Sequence, residues 1–162
     1  MTESQSPMPT IYAGWHTYQT LLITALNPLP PGQLALRAAP DLRSIGEIAT
    51  HVVGARARWF YQLMGEGGDE FAALGTWDRQ GMPTRSAAEL IHGLETTWQG
   101  MQAAIARWTP VEWQQTYAGE EPHDPATITR QWVIWHLMEH DLHHGGEISL
   151  TLGMRGLPAP DL

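Results

Sequence analysis

Cysteine is absent from the 162-residue sequence, which excludes disulfides, thiolate ligands and a cysteine nucleophile. Any thiol chemistry has to use a thiol brought in from outside. Charge is also scarce: Asp, Glu, Lys and Arg make up 16% of the residues, and the formal net charge of -8 comes with no basic cluster along the chain. A sequence-independent hold on a phosphate backbone needs several basic side chains on one face, so nucleic acid is not an expected partner. No apolar run approaches the length of a bilayer span, and the opening "MTESQSPMPT" has neither a basic n-region nor an apolar h-region. The expectation is a cytoplasmic protein with no membrane partner. Sustained period-two alternation is missing as well, so strands should be few or absent, and no internal repeat is seen.

Apolar side chains are plentiful. Hydrophobic residues reach 43%, with eight Trp and seven Met, a composition that builds an interior. One domain over residues 1–162 is expected, long enough to bury a core without staples. Helix starts and stops organise it. The first helix runs from about Thr10, as N-cap, to Leu26, where "NPLPPG" removes donors and forbids helix. The second opens at Ser44 with the capping box "SIGE" and runs to about Met64, before "GEGG". "SAAE" at Ser86 opens the third in the same way, and it continues to about Trp108. The fourth starts at Thr127 or Thr129 and runs to about Gly153.

About twenty residues separate the second and third helices, enough irregular chain to travel the length of a helix. Such a link suits parallel neighbours, whereas antiparallel ones need only a few residues. The fold expected is all-α: a four-helix bundle, up-down-down-up, with a long crossover between helices 2 and 3. In the second long link, "PVEW" reads as a turn of helix and "GEEPHDP" as exposed loop.

The stretch "HLMEHDLHHGGE", residues 136–147, concentrates four histidines in twelve positions. At about 100° per residue, His136, His143, His144 and Glu147 all fall within about 60° of His140 on the wheel. Residues four apart are stacked neighbours on a helix, so His140 and His144 can offer imidazole nitrogens to one ion, as the paired histidines of zincins do. Spacing alone leaves a second reading open, in which the two histidines line a polar seam or pair with carboxylates. An open catalytic site takes three protein ligands, so a third must come from another helix. On the second helix, Ser44, Glu47 and Arg58 share a face with His51.

The segments "SIGEIATHVVGARARWF" and "WHLMEHDLHHGGEISLTLGMRGLP" resemble the paired signatures of the DinB-like (damage-inducible) superfamily, whose members are metal-dependent enzymes built as four-helix bundles. The likeness covers nearly the whole chain in helix order. It implies that His51, His140 and His144 hold a divalent transition metal, Zn or Ni. It also implies a thiol S-transferase acting on a small-molecule electrophile, with a low-molecular-weight thiol such as bacillithiol or mycothiol as co-substrate, in a homodimer. A metal-dependent hydrolase or isomerase at the same site, and a non-catalytic metal-binding stress-response protein, are the rival readings.

Around those three ligands, His136 is expected to bind the cofactor or line its pocket, and Glu147 to be the catalytic base or to orient a ligand imidazole. Glu47 reads first as the capping partner of Ser44, and Trp59, Trp132 and Trp135 as core. One departure stands out. Many relatives follow the last histidine with Arg-Gly-Gln, whereas this chain has Gly145, Gly146 and Glu147. Two glycines in a helix weaken it by about 1 kcal/mol each relative to Ala, and a close helix crossing beside the metal is one explanation.

Overall fold

Two matched capping boxes start two of the long helices. Ser44 accepts from the Glu47 amide while the Glu47 carboxylate takes the Ser44 amide, and Ser86 and Glu89 do the same. The computed structural model describes residues 8–119 and 126–160. In chain order they form α1 (Met8–Leu26), a short α2 (Pro31–Leu34), α3 (Ile45–Arg58), a π-helical turn (Trp59–Leu63), α4 (Gly68–Leu74), α5 (Ala87–Arg107), α6 (Pro110–Trp113), β1 (Thr116–Ala118), β2 (Thr127–Thr129) and α7 (Arg130–Gly153). The long helices α1, α3, α5 and α7 make the bundle. α3 packs against α5 and α7, and α1 closes the far side against the same two. Their apolar stripes meet in one core that includes Leu22, Ile48, Val52, Leu94, Met101, Leu137 and Ile148.

Several boundaries differ from the expected ones. Thr10 lies inside α1, which is already helical at Met8; Pro9 fits a first helical turn because its missing amide has no partner there anyway. The second helix does not stay α-helical to Met64, since α3 passes into the π turn at Trp59. The crossover is not irregular throughout: Phe71 and Leu74 of α4 are buried against the bundle, which stabilises a short helix that no periodicity announced. Thr129, not Thr127, caps α7, its hydroxyl accepting from the Trp132 amide at 3.1 Å. Thr127 belongs to a two-stranded antiparallel ribbon in which Tyr117 pairs with Ile128. "PVEW" is indeed helical and carries a third capping box, Thr109 with Glu112. Residues 120–125 of the expected exposed loop, including His123, lie outside the described residues. No described helix is long and apolar enough to cross a membrane.

Candidate metal centre

α3 and α7 run side by side, so a polar residue on the inner face of either must find its partner on the other. His51 enters from α3, and His140 and His144 from consecutive turns of α7. One nitrogen from each ring falls within 4.8 Å of the other two. The ring centroids are 4.9 Å apart for His51 with His140 and for His51 with His144, and 4.4 Å apart for His140 with His144. His51 and His140 face each other through their Nε2 atoms at 3.1 Å.

Carboxylates fix two of the three tautomers. His51 Nδ1 lies 2.7 Å from Asp78 Oδ2. Burial by itself raises the Asp78 pKa, but hydrogen bonds from His51 and Arg58 and the Arg58 charge outweigh it and hold the carboxyl well below its usual range. An ionised carboxylate only accepts, so the proton sits on His51 Nδ1 and the Nε2 lone pair points at His140. His144 Nδ1 lies 2.6 Å from Glu147 Oε2, which leaves its Nε2 lone pair free by the same argument. His140 has no such carboxylate, and its buried Nδ1 has no hydrogen-bond partner among the described residues. Burial, then the neighbouring His144 and His51, push the His140 pKa down to about 2. Burial also lowers that of His144, against the hydrogen bond to Glu147.

His140 and His144 are therefore neutral at pH 7, the state in which imidazole binds metal. For M–N bonds of about 2.1 Å, ligand nitrogens around one ion stand roughly 3.0–3.4 Å apart. The 3.1 Å separation of the His51 and His140 Nε2 atoms falls in that range. Carboxylate–histidine pairs behind the ligands are the usual orienting device of metal sites. The residues thus fit a divalent transition ion. A second group, His143, His144 and Glu147, shares only His144 with the first, and its His143 side chain is 68% exposed.

His136 lies one turn before His140. Its ring stacks on Trp132 at 4.9 Å and 6°, meets Trp59 edge-on, and stands 6.0 Å from His140. Trp59 and Trp132 are partly buried against the core, whereas Trp135 is 57% exposed and points away from it, contrary to expectation. Glu147 sits on His144 and also lies 3.8 Å from His143. Glu47 is occupied by the cap and by Arg37.

The residue that sequence reasoning missed is Asp78. It comes from the crossover, 27 positions beyond His51, and Arg58 locks it in place through both guanidinium ends. Gly54 leaves room for it, since a Cβ there would stand 2.7 Å from Asp78 Oδ1. The one signal for it in the sequence is Arg58, a cation on the same helix face as His51 that calls for an acid there.

A sequence profile of the DinB superfamily matches residues 15–148. The chain belongs to the DinB superfamily. The profile spans α1 through α7 and so covers every helix that contributes to the three-histidine cluster. A DinB-like protein from Bacillus cereus ATCC 10987 has the same fold at a TM-score of 0.70, with 20% identity over 93% of this chain and 94% of that one. A DinB-like protein from Bacillus subtilis superposes at 0.63, with 13% identity over 94% and 96% of the two chains. No curated protein matches this DinB-superfamily chain.

Proposed function

We propose that the protein is a metal-dependent enzyme in which His51, His140 and His144 hold a divalent transition ion, Zn or Ni, and leave a position open for a small molecule. The observation that carries this reading is the convergence of three imidazole nitrogens within 4.8 Å, two of them with their outer nitrogens held by carboxylates. When bound, such an ion lowers the pKa of a water or thiol and supplies a nucleophile at neutral pH. The chain's own part is to keep the site ready. Asp78 holds the proton of His51 on Nδ1, and Glu147 does the same for His144, which suits a positioning residue better than the catalytic base expected from the sequence. The stacked His136 and Trp132 form an aromatic wall beside His140, where a substrate can rest.

Within that reading the activity is a thiol-dependent S-transfer onto a small electrophile. Its support is the resemblance of the two helix signatures, together with the absence of any cysteine that could serve in place of an external thiol. A homodimer is part of the same proposal, supported by Trp135, Leu142 and Leu150, which are exposed along α7; sedimentation velocity tests it. The experiment that tests the centre is elemental analysis of tag-free protein beside His51→Ala and His140→Ala. The expected result is about one equivalent of metal in the wild type and none in either variant. Metal retained in both, or absent from the wild type after incubation with Zn and Ni, overturns the reading. Turnover that needs no added thiol overturns the S-transfer part alone.

A further inference from the structure

All nine basic residues of the chain are arginines, in a molecule with a formal charge of -8. Four of them, Arg37, Arg43, Arg79 and Arg85, line a single cleft of about 650 Å³. The cleft lies between the start of α3 and the crossover, and it reaches the three-histidine cluster at His51 and Asp78. Repulsion among like charges and the scarcity of cations both disfavour such a gathering unless something negative offsets it.

The cleft's own acids are already engaged. Glu47 is shared between Arg37 and the Ser44 cap, and Asp78 between His51 and Arg58. Arg43 and Arg79 are exposed and have no ion-pair partner among the described residues. Arg85 is held in a fixed orientation, its guanidinium 4.6 Å above the Trp77 ring, with a single long contact of 3.4 Å to Glu89. Its Nε is buried without a hydrogen-bond partner. A guanidinium offers a planar fork of donors that matches a carboxylate or a phosphate, and a pre-oriented one loses less freedom on binding. The geometry points to an anion-binding subsite: the cleft takes the carboxylate or phosphate group of a small molecule, held mainly by Arg43, Arg79 and Arg85. Resting on the metal-enzyme reading, this makes the substrate or thiol co-substrate an anionic one, anchored beside His51 rather than on the ion.

The test is calorimetric titration of inorganic phosphate and of succinate into the full chain at low ionic strength. Wild type, the Arg43→Gln/Arg79→Gln variant and His140→Ala are compared, with metal content measured in the same samples. Both replaced arginines are exposed, so that variant is expected to fold. One or both anions should saturate the wild type, bind more weakly as salt is added, lose at least about tenfold in affinity in the arginine variant, and still bind His140→Ala. A preference for succinate assigns the subsite to carboxylates, and a preference for phosphate to phosphates. No binding of either anion overturns the proposal. So does binding that survives loss of the two arginines, or binding that vanishes with His140, because the anion then sits on the ion. A wild type that binds anion but takes up no metal upholds the subsite and removes only the metal reading.

Discussion

At the scale of single residues, the centre depends on side chains that hold protons in place. Asp78 fixes His51 through a 2.7 Å hydrogen bond, so Asp78→Asn should leave the fold intact but let the imidazole rotate and change tautomer. The expected loss in metal affinity is about 10–100-fold, read by competition with a chromophoric chelator; unchanged affinity shows that His51 needs no partner. A pH effect follows from His140, whose pKa burial pushes down to about 2, whereas in the unfolded chain it titrates near 6.5. Protonation thus favours the unfolded chain. The stability of the neutral ring is fully present above about pH 6.5 and is lost as the pH falls toward the folded value. Chelator-treated protein should melt at a lower temperature at about pH 5.5 than at about pH 7.5, and His140→Gln should reduce that difference. His140 and His144 were legible as a pair because they share a helical spacing, and the likeness of the two helix signatures joined His51, on a polar face of another helix, to them. Asp78 was not, because no period relates a crossover residue to the helix it touches.

At the scale of the element, α7 explains the unusual Gly145-Gly146 pair. A Cβ on Gly145 would stand 2.0 Å from the Tyr18 hydroxyl and 2.7 Å from its Cζ, so the Tyr18 ring of α1 occupies the space a side chain there would need. Tyr18 is buried and its hydroxyl donates to the Leu142 carbonyl at 3.4 Å, which leaves the ring little room to withdraw. Gly146 faces open space. Gly145→Ala is therefore expected to destabilise by about 1–3 kcal/mol, and Gly146→Ala to stabilise by up to about 1 kcal/mol through helix propensity. Urea denaturation of the two variants separates them, and equal effects rule out the close crossing. Helix starts such as Ser44 and Ser86 were readable because a capping box is a local code. The two-turn α4 and the π turn were not, since burial of Phe71 and Phe60 against distant parts of the chain decides them.

At the scale of the whole molecule, the question is whether the ion or the protein holds the bundle closed. A buried network joins all four long helices without using a metal ligand. Arg56 of α3 donates to Asp141 of α7 through Nε and Nη2, to Gln19 of α1 at 2.8 Å, and to the Leu94 carbonyl of α5 at 3.4 Å. Trp15 of α1 donates to the same Asp141 carboxylate at 2.7 Å. Both ends of the ion pair are almost wholly inaccessible, at 1% and 0%. Such a pair earns little net stability over apolar residues, but removing one partner strands a buried charge at a cost of about 3–5 kcal/mol. An ion present at a hundred times its dissociation constant adds only about 2.7 kcal/mol. Chelation should therefore leave the helical circular dichroism and a cooperative melt intact, with a moderate fall in melting temperature. Arg56→Met should destabilise metal-free and metal-loaded protein alike, by more than chelation does. Collapse of the helical signal on chelation alone would show the reverse order: that the three histidines and their ion close the bundle, as in small zinc domains that are unfolded without metal.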